Sequence, residues 1–141
     1  MNIDSIHRGI VLDHIQAGRS MEIYQALNLG DLPCSVAIIR NVKSQAMGKK
    51  DIIKIDDDID IDLDVLGYLD PGITVNIIVD GVIAEKKHLA LPERLINVVK
   101  CRKPRCITTV ETQLDQVFRL VHPEERVYRC AYCDAEQRQR K

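Results

Sequence analysis

Ile73-Thr74-Val75-Asn76-Ile77-Ile78-Val79-Asp80-Gly81-Val82-Ile83-Ala84-Glu85-Lys86-Lys87 consists of two β-branched runs joined by Asp-Gly. A two-residue hairpin turn needs positive φ at both central residues, and Asp-Gly supplies it at little cost, so this stretch predicts a β-hairpin. Upstream, Pro71-Gly72 ends a segment in which Leu63, Val65, Leu66 and Leu69 recur at helical spacing. The acidic run Asp56 to Asp62 leads into it, and the spacing predicts a helix that opens inside this run, where the macrodipole favours negative charge. Before that come a strand over 50–56 with Ile53 and Ile55 on one face, a loop over 44–48 and a β-branched strand over 35–42. Met21, Tyr24, Leu27 and Leu29 predict a helix with Ser20 as its N-cap and Gly30-Asp31 at its end. The first strand covers Arg8 to Ile15, with Asp13-His14 terminating its apolar run. The order β-α-β-β-α-β-β predicts a sheet with two helices on one face, a ferredoxin-like α/β sandwich in the α+β class.

The chain has 141 residues, enough for one ordinary domain or two small ones. Aromatics are only 4%, so the core must be built from Ile, Leu and Val. The net charge of −1 excludes a strongly basic nucleic-acid coat protein. No apolar run approaches the ~20 residues of a spanning helix, and no secretory leader opens the chain, so the expected location is cytoplasmic. The charge is uneven: 1–94 carry 10 basic and 15 acidic residues, 95–141 carry 10 and 6. Four of the five cysteines lie in that second stretch. Two modules are expected, 1–92 and 93–141, with Pro92 near the boundary opening a short helical turn.

Cys101-x4-Cys106 and Cys130-x2-Cys133 are two close pairs separated by 23 residues. Paired thiolates on tight turns are the ligand pattern of structural zinc, which takes four tetrahedral ligands and leaves no open position for catalysis. Two disulfides are the alternative, disfavoured in a chain with no secretory leader. Lys100, Arg102, Lys103, Arg105 and Arg129 are expected to offset the −2 charge of such a centre. Cys34 reads as a small half-buried hydrophobe.

In the first module Asp13, His14, Lys50, Lys54 and Lys86 fall at or near strand ends. Three ammonium groups converging there would hold a polyphosphate as point charges, although surface lysines are ordinarily just solvated. The chain has no phosphate-cradling glycine loop, no nucleophile elbow and no metal-spaced histidine pair. The tail from Glu136 to Lys141 is polar and expected to fray, without an apolar final strand.

Several blocks, in order, resemble the regulatory chain of aspartate carbamoyltransferase: Arg8-Gly9-Ile10-Val11-Leu12-Asp13-His14-Ile15, Met47 to Ile55, Thr74-Val75-Asn76, Leu91-Pro92-Glu93-Arg94, Asn97-Val98, Cys101-x4-Cys106 and Cys130-x2-Cys133. The resemblance implies a non-catalytic subunit serving allosteric control of pyrimidine biosynthesis. Its first domain would bind the nucleotide triphosphates ATP, CTP and UTP as effectors. Its second would be a small β-rich, rubredoxin-like zinc ribbon holding one structural Zn2+ and docking on the catalytic chain. The assembly implied is two catalytic trimers joined by three regulatory dimers. Carried residue by residue, Asp13, His14, Lys50, Lys54, Asn76 and Lys86 match the effector pocket. Ile6, Val11 and Ile83 match its apolar lining, and Cys101, Cys106, Cys130 and Cys133 match the zinc ligands. Neither a membrane nor a nucleic acid is an expected partner. The rival reading is a nucleic-acid-binding zinc ribbon, motivated by the net +4 of residues 95–141 and opposed by their few stacking aromatics.

Overall fold

A computed structural model of the chain describes residues 7–138. The chain divides into two compact units, 1–90 and 91–141. In the first, β1 (Gly9–Gln16), α1 (Ser20–Ala26), β2 (Val36–Ser44), β3 (Gly48–Ile55), α2 (Leu63–Leu69), β4 (Thr74–Val79) and β5 (Val82–His88) follow one another in chain order. The five strands form one antiparallel sheet in the order β2-β3-β1-β4-β5. Ile10, Leu12, Ile53, Ile55 and Val75 point to one face and pack with Ile23 of α1 and Leu66 of α2. Both helices thus cover the same face, as the sequence pattern predicts. Alternation sends Val11, Lys54, Asn76 and Lys86 to the other face.

Local chemistry explains each departure from the sequence-based expectation. The helix does not open inside the acidic run. Residues 56–61 are non-helical, and Asp62 caps α2 by accepting the N–H groups of Asp64 (3.0 Å) and Val65 (3.3 Å). Asp58-Ile59-Asp60-Ile61-Asp62-Leu63 alternates with period two, and Ile59, Ile61 and Leu63 are half-buried against the core while the aspartates are exposed. That is the pattern of extended chain, not of a helix. Ser20 is the first helical residue, not the cap; Arg19 holds the cap position without a side-chain capping bond, its guanidinium instead donating to Glu22. Met21 is exposed and Ile23 fully buried, so the apolar stripe of α1 is rotated from the predicted phase. α1 also ends early, at Ala26, and Leu29–Asp31 is a separate 3-10 turn. The first strand, expected over Arg8 to Ile15, spans Gly9–Gln16, with a bulge at Asp13-His14 that the sequence pattern does not show. The Asp80-Gly81 hairpin is present, with φ of 52° and 78°.

The second unit contains β6 (Arg94–Ile96), a one-turn α3 (Ile107–Val110), β7 (Val117–His122), β8 (Val127–Cys130) and β9 (Glu136–Arg138), its sheet ordered β6-β7-β8-β9. Leu95, Phe118, Val127 and Tyr128 are buried, and the Tyr128 hydroxyl donates to the Pro92 carbonyl at 2.6 Å. Pro92 therefore leads into a strand and not a helical turn. Of the tail expected to fray, Glu136–Arg138 instead pairs with β8, Gln137 opposite Tyr128, and Gln139 to Lys141 lie outside the described residues. An edge strand needs backbone hydrogen bonds rather than an apolar sequence, which is why polarity misled the sequence reading.

Leu12 is fully buried in the central strand of the first unit. Leu12→Ala is expected to cost about 2–5 kcal/mol in denaturant unfolding. A loss below about 1 kcal/mol would contradict this core.

Candidate metal centre and basic pocket

Cys101 and Cys106 flank the turn that leads into α3, while Cys130 ends β8 and Cys133 lies three residues on. Their four sulfurs lie within 4.8 Å of one another, with Cys101 to Cys133 at 3.6 Å and Cys106 to Cys130 at 3.8 Å. All four are free thiols, so the disulfide alternative fails. A tetrahedral centre with metal–sulfur bonds of about 2.3 Å spaces its sulfurs about 3.8 Å apart, which the cluster matches. Backbone bonds shape both turns. The Cys106 N–H donates to the Lys103 carbonyl (3.1 Å) and the Asp134 N–H to the Cys130 carbonyl (2.9 Å). Gln116 Oε1 accepts from the Cys101 N–H at 2.9 Å, tying the first turn to β7.

The thiols do not share one environment. The Thr108 hydroxyl, 3.0 Å from its sulfur, holds Cys106 down to about 7, whereas burial pushes Cys101 up to about 12. Four thiols this close cannot all ionise without a cation among them, so the donor set itself calls for a metal. Of the basic residues expected to balance it, Arg129 is engaged with Asp134, donating to its carbonyl at 3.0 Å, and the four on the first turn face solvent.

The open face of the first unit carries the second cluster. Strand register sets Lys54, Val11, Asn76 and Lys86 side by side across β3, β1, β4 and β5. Two bulges recruit the rest. In β1, Leu12 pairs with Ile53 and Ile15 with Asp51, so Asp13 and His14 together stand where one residue would, and neither points into the core. Asp13 accepts from Lys50 Nζ at 3.0 Å and from the His14 N–H at 2.6 Å. Burial raises the Asp13 carboxyl, but these two donors outweigh it and hold it below the usual carboxylate range. His14 adopts φ 61°, and its Nδ1 lies 3.1 Å from the Thr74 hydroxyl. In β5, a shift between the pairs Ile77–Glu85 and Ile78–Ile83 turns Ile83 onto the face of Lys86. Ile83 is 54% exposed there.

The structure therefore brings Val11, Asp13, His14, Lys50, Lys54, Asn76, Ile83 and Lys86 to one face. Ile6 lies outside the described residues. Two polar features of this face lack partners. The Asn76 side-chain oxygen is buried with no hydrogen-bond donor among the described residues. Lys54 and Lys86 have no carboxylate within 4 Å among them either.

Sequence reasoning missed two residues. Thr74 braces His14, and nothing in its strand marks it. Asp51 is fully buried beneath the pocket. Its Oδ1 accepts from the Asn41 N–H (3.0 Å) and its Oδ2 from the N–H groups of Gly18 (3.1 Å) and Ser20 (3.4 Å). Burial raises this carboxyl, but the Asn41 N–H, then the Ser20 side chain, then the Gly18 and Ser20 N–H groups bring it below its ordinary value. The signal for Asp51 was available: it occupies an inward position of the alternation Asp51, Ile53, Ile55.

Comparison with known proteins agrees with this division. Residues 1–90 match the family model for the aspartate carbamoyltransferase regulatory chain, allosteric domain, and 93–141 match its metal binding domain. The chain is 50% identical over 135 residues to the aspartate carbamoyltransferase regulatory chain of Clostridium tetani, covering 95% of this chain and 94% of that one. It is 46% identical over 136 residues to that of Bifidobacterium longum, covering 96% and 98%. With the Clostridium acetobutylicum chain it shares 48% over 134 residues, covering 95% and 92%.

The thiolate cluster generates a direct test. Cys130→Ser is expected to lose bound metal, measured by elemental analysis, and with it the sheet of the second unit, read from the near-ultraviolet signal of Tyr128. A variant that keeps the wild-type spectrum without metal would show that the unit folds by its apolar core alone.

Proposed function

This chain belongs to the aspartate carbamoyltransferase regulatory-chain family, as a regulatory and not a catalytic member, and from that premise we propose that its first unit binds nucleotide triphosphates on the open face of the sheet. The observation that carries the reading is the cross-strand row Lys54–Val11–Asn76–Lys86 beside the Lys50–Asp13 pair. Lys50, Lys54 and Lys86 supply point charges for a triphosphate, and the His14 ring donates to the same group. Val11 and Ile83 give an apolar seat for a base. The orphaned Asn76 oxygen accepts from a ligand N–H or hydroxyl, and Asp13 accepts from a base or sugar donor. CTP, ATP and UTP share this triphosphate and differ in the base, so the pocket discriminates them by size and by donor pattern.

Binding becomes regulation only if the effectors prefer different states of the assembly. A ligand with equal affinity for both states shifts nothing, and coupling between sites is typically about 1–3 kcal/mol. The regulatory chains act as dimers in the cytoplasm and dock on catalytic chains through the second unit. The ion in that unit is Zn2+, one per chain, held by Cys101, Cys106, Cys130 and Cys133. Four thiolates close its coordination sphere, so it folds the unit and does no chemistry. A module this small buries little apolar surface, and structural zinc contributes roughly 10–16 kcal/mol of apparent binding energy in small peptides.

The test is calorimetric titration of the zinc-loaded chain with CTP, with ATP and with a short single-stranded oligonucleotide. Saturable binding of the mononucleotides is expected, lost in Lys54→Ala with the fold intact. Binding of the oligonucleotide alone, weakening as salt rises, would overturn the reading in favour of a nucleic-acid-binding zinc ribbon.

A further inference from the structure

Beneath the basic pocket, three irregularities of the sheet meet at one side chain. Asp51 sits on β3 between two neighbouring strands that both lose register beside it. In β1 the pairs Leu12–Ile53 and Ile15–Asp51 enclose the extra residue of the Asp13-His14 bulge. In β2 the pairs Ile39–Ile52 and Val42–Lys50 enclose Arg40-Asn41. The third irregularity is the turn Ala17 to Arg19 that joins β1 to α1. A bulge leaves backbone N–H groups without a ladder partner, and so does a helix start. One carboxylate collects them: Oδ1 takes the N–H of Asn41, which lies at φ 60°, and Oδ2 takes those of Gly18, at φ 95°, and Ser20. No Lys, Arg or His forms an ion pair with Asp51 among the described residues. The charge is offset by these backbone N–H groups together with the Ser20 side chain, and the N–H groups belong to the segments that carry Asp13, His14 and Lys50.

We infer that Asp51 is a positioning residue for the nucleotide pocket, acting by locking the β1 and β2 bulges so that Asp13, His14 and Lys50 stay clustered on the open face. This inference rests on the effector reading for its consequence, but its structural half stands apart from it. Asp51 touches no group on the open face; its own side chain points the opposite way from Lys50, its neighbour in β3. Remove the charge and the two oxygens no longer match three donors. The β1 turn and the Asn41 bulge are then released together. Asp13, His14 and Lys50 keep their chemistry but lose their spacing.

The experiment uses the full zinc-loaded chain and the Asp51→Asn variant, with circular dichroism to establish folding. Two readouts are taken: CTP affinity by calorimetry, and the His14 imidazole resonances by NMR without nucleotide. In Asp51→Asn the CTP dissociation constant should rise about tenfold or more. The His14 resonances should move in the same variant, whereas Lys54→Ala should lose CTP with the His14 resonances in place. A folded Asp51→Asn chain with wild-type His14 resonances overturns the inference, whatever its CTP affinity. If the wild-type chain binds no CTP, the effector reading fails, and the His14 resonances alone decide whether Asp51 positions the rim. Should Asp51→Asn fail to fold, amide exchange in the wild-type chain settles the matter. CTP should then slow exchange at Gly18, Ser20 and Asn41, which face away from the pocket, and unchanged exchange there would overturn the inference.

Discussion

A five-stranded sheet with helices on one face has a second face that must be either solvated or used. Everything particular to the first unit follows from that constraint. Alternation commits Ile10, Leu12, Ile53, Ile55 and Val75 to the helices, and by the same rule places Val11, Lys54, Asn76 and Lys86 on the opposite side. A strict alternation would have left Asp13 and His14 on opposite faces, and Ile83 and Lys86 likewise. The bulges in β1 and β5 break the alternation once each and bring all four together. The clustering of these side chains is thus a property of the register, and the backbone irregularities at the β2 bulge and the turn after β1 are met by the buried Asp51 carboxylate.

The second unit solves a different problem. Its buried side chains are few, with Leu95, Phe118, Val127 and Tyr128 at the centre. The four thiolates draw the turn before α3, the end of β8 and the loop that follows it to one point, substituting coordination for the core that so short a segment cannot build. The two units therefore carry different means of holding together, an aliphatic core in one and a four-cysteine cluster suited to a metal ion in the other.

Much of this was legible in the sequence. The element order, the Asp80-Gly81 hairpin and the cysteine quartet are local signals, and local signals survive folding. The failures share a cause as well. Ser20 looked like a cap because Asp51, the acceptor for its N–H, comes from a strand 31 residues away. The bulge at Asp13-His14 went unread because a bulge has no signature apart from the register of its neighbours. The acidic run looked like a helix start because its charge suited the macrodipole, when its Asp-Ile alternation was the better guide. Glu136–Arg138 looked frayed because an edge strand is held by backbone bonds that composition does not record. Asp13, His14, Lys50, Lys54 and Lys86 were candidates as strand-end residues, but Val11, Asn76 and Ile83 came from family resemblance, since nothing in a strand's sequence marks which residues share a face until the register is known.

The central claim is that the open face of the first unit is where nucleotides control the partner enzyme. The most direct measurement is the rate of carbamoyl transfer to aspartate by catalytic chains reassembled with this chain, with and without CTP and ATP. Nucleotides should change the rate of the wild-type assembly and leave that of an equally assembled Lys54→Ala complex unchanged. An identical response in both assemblies, or none in the wild type, would contradict it.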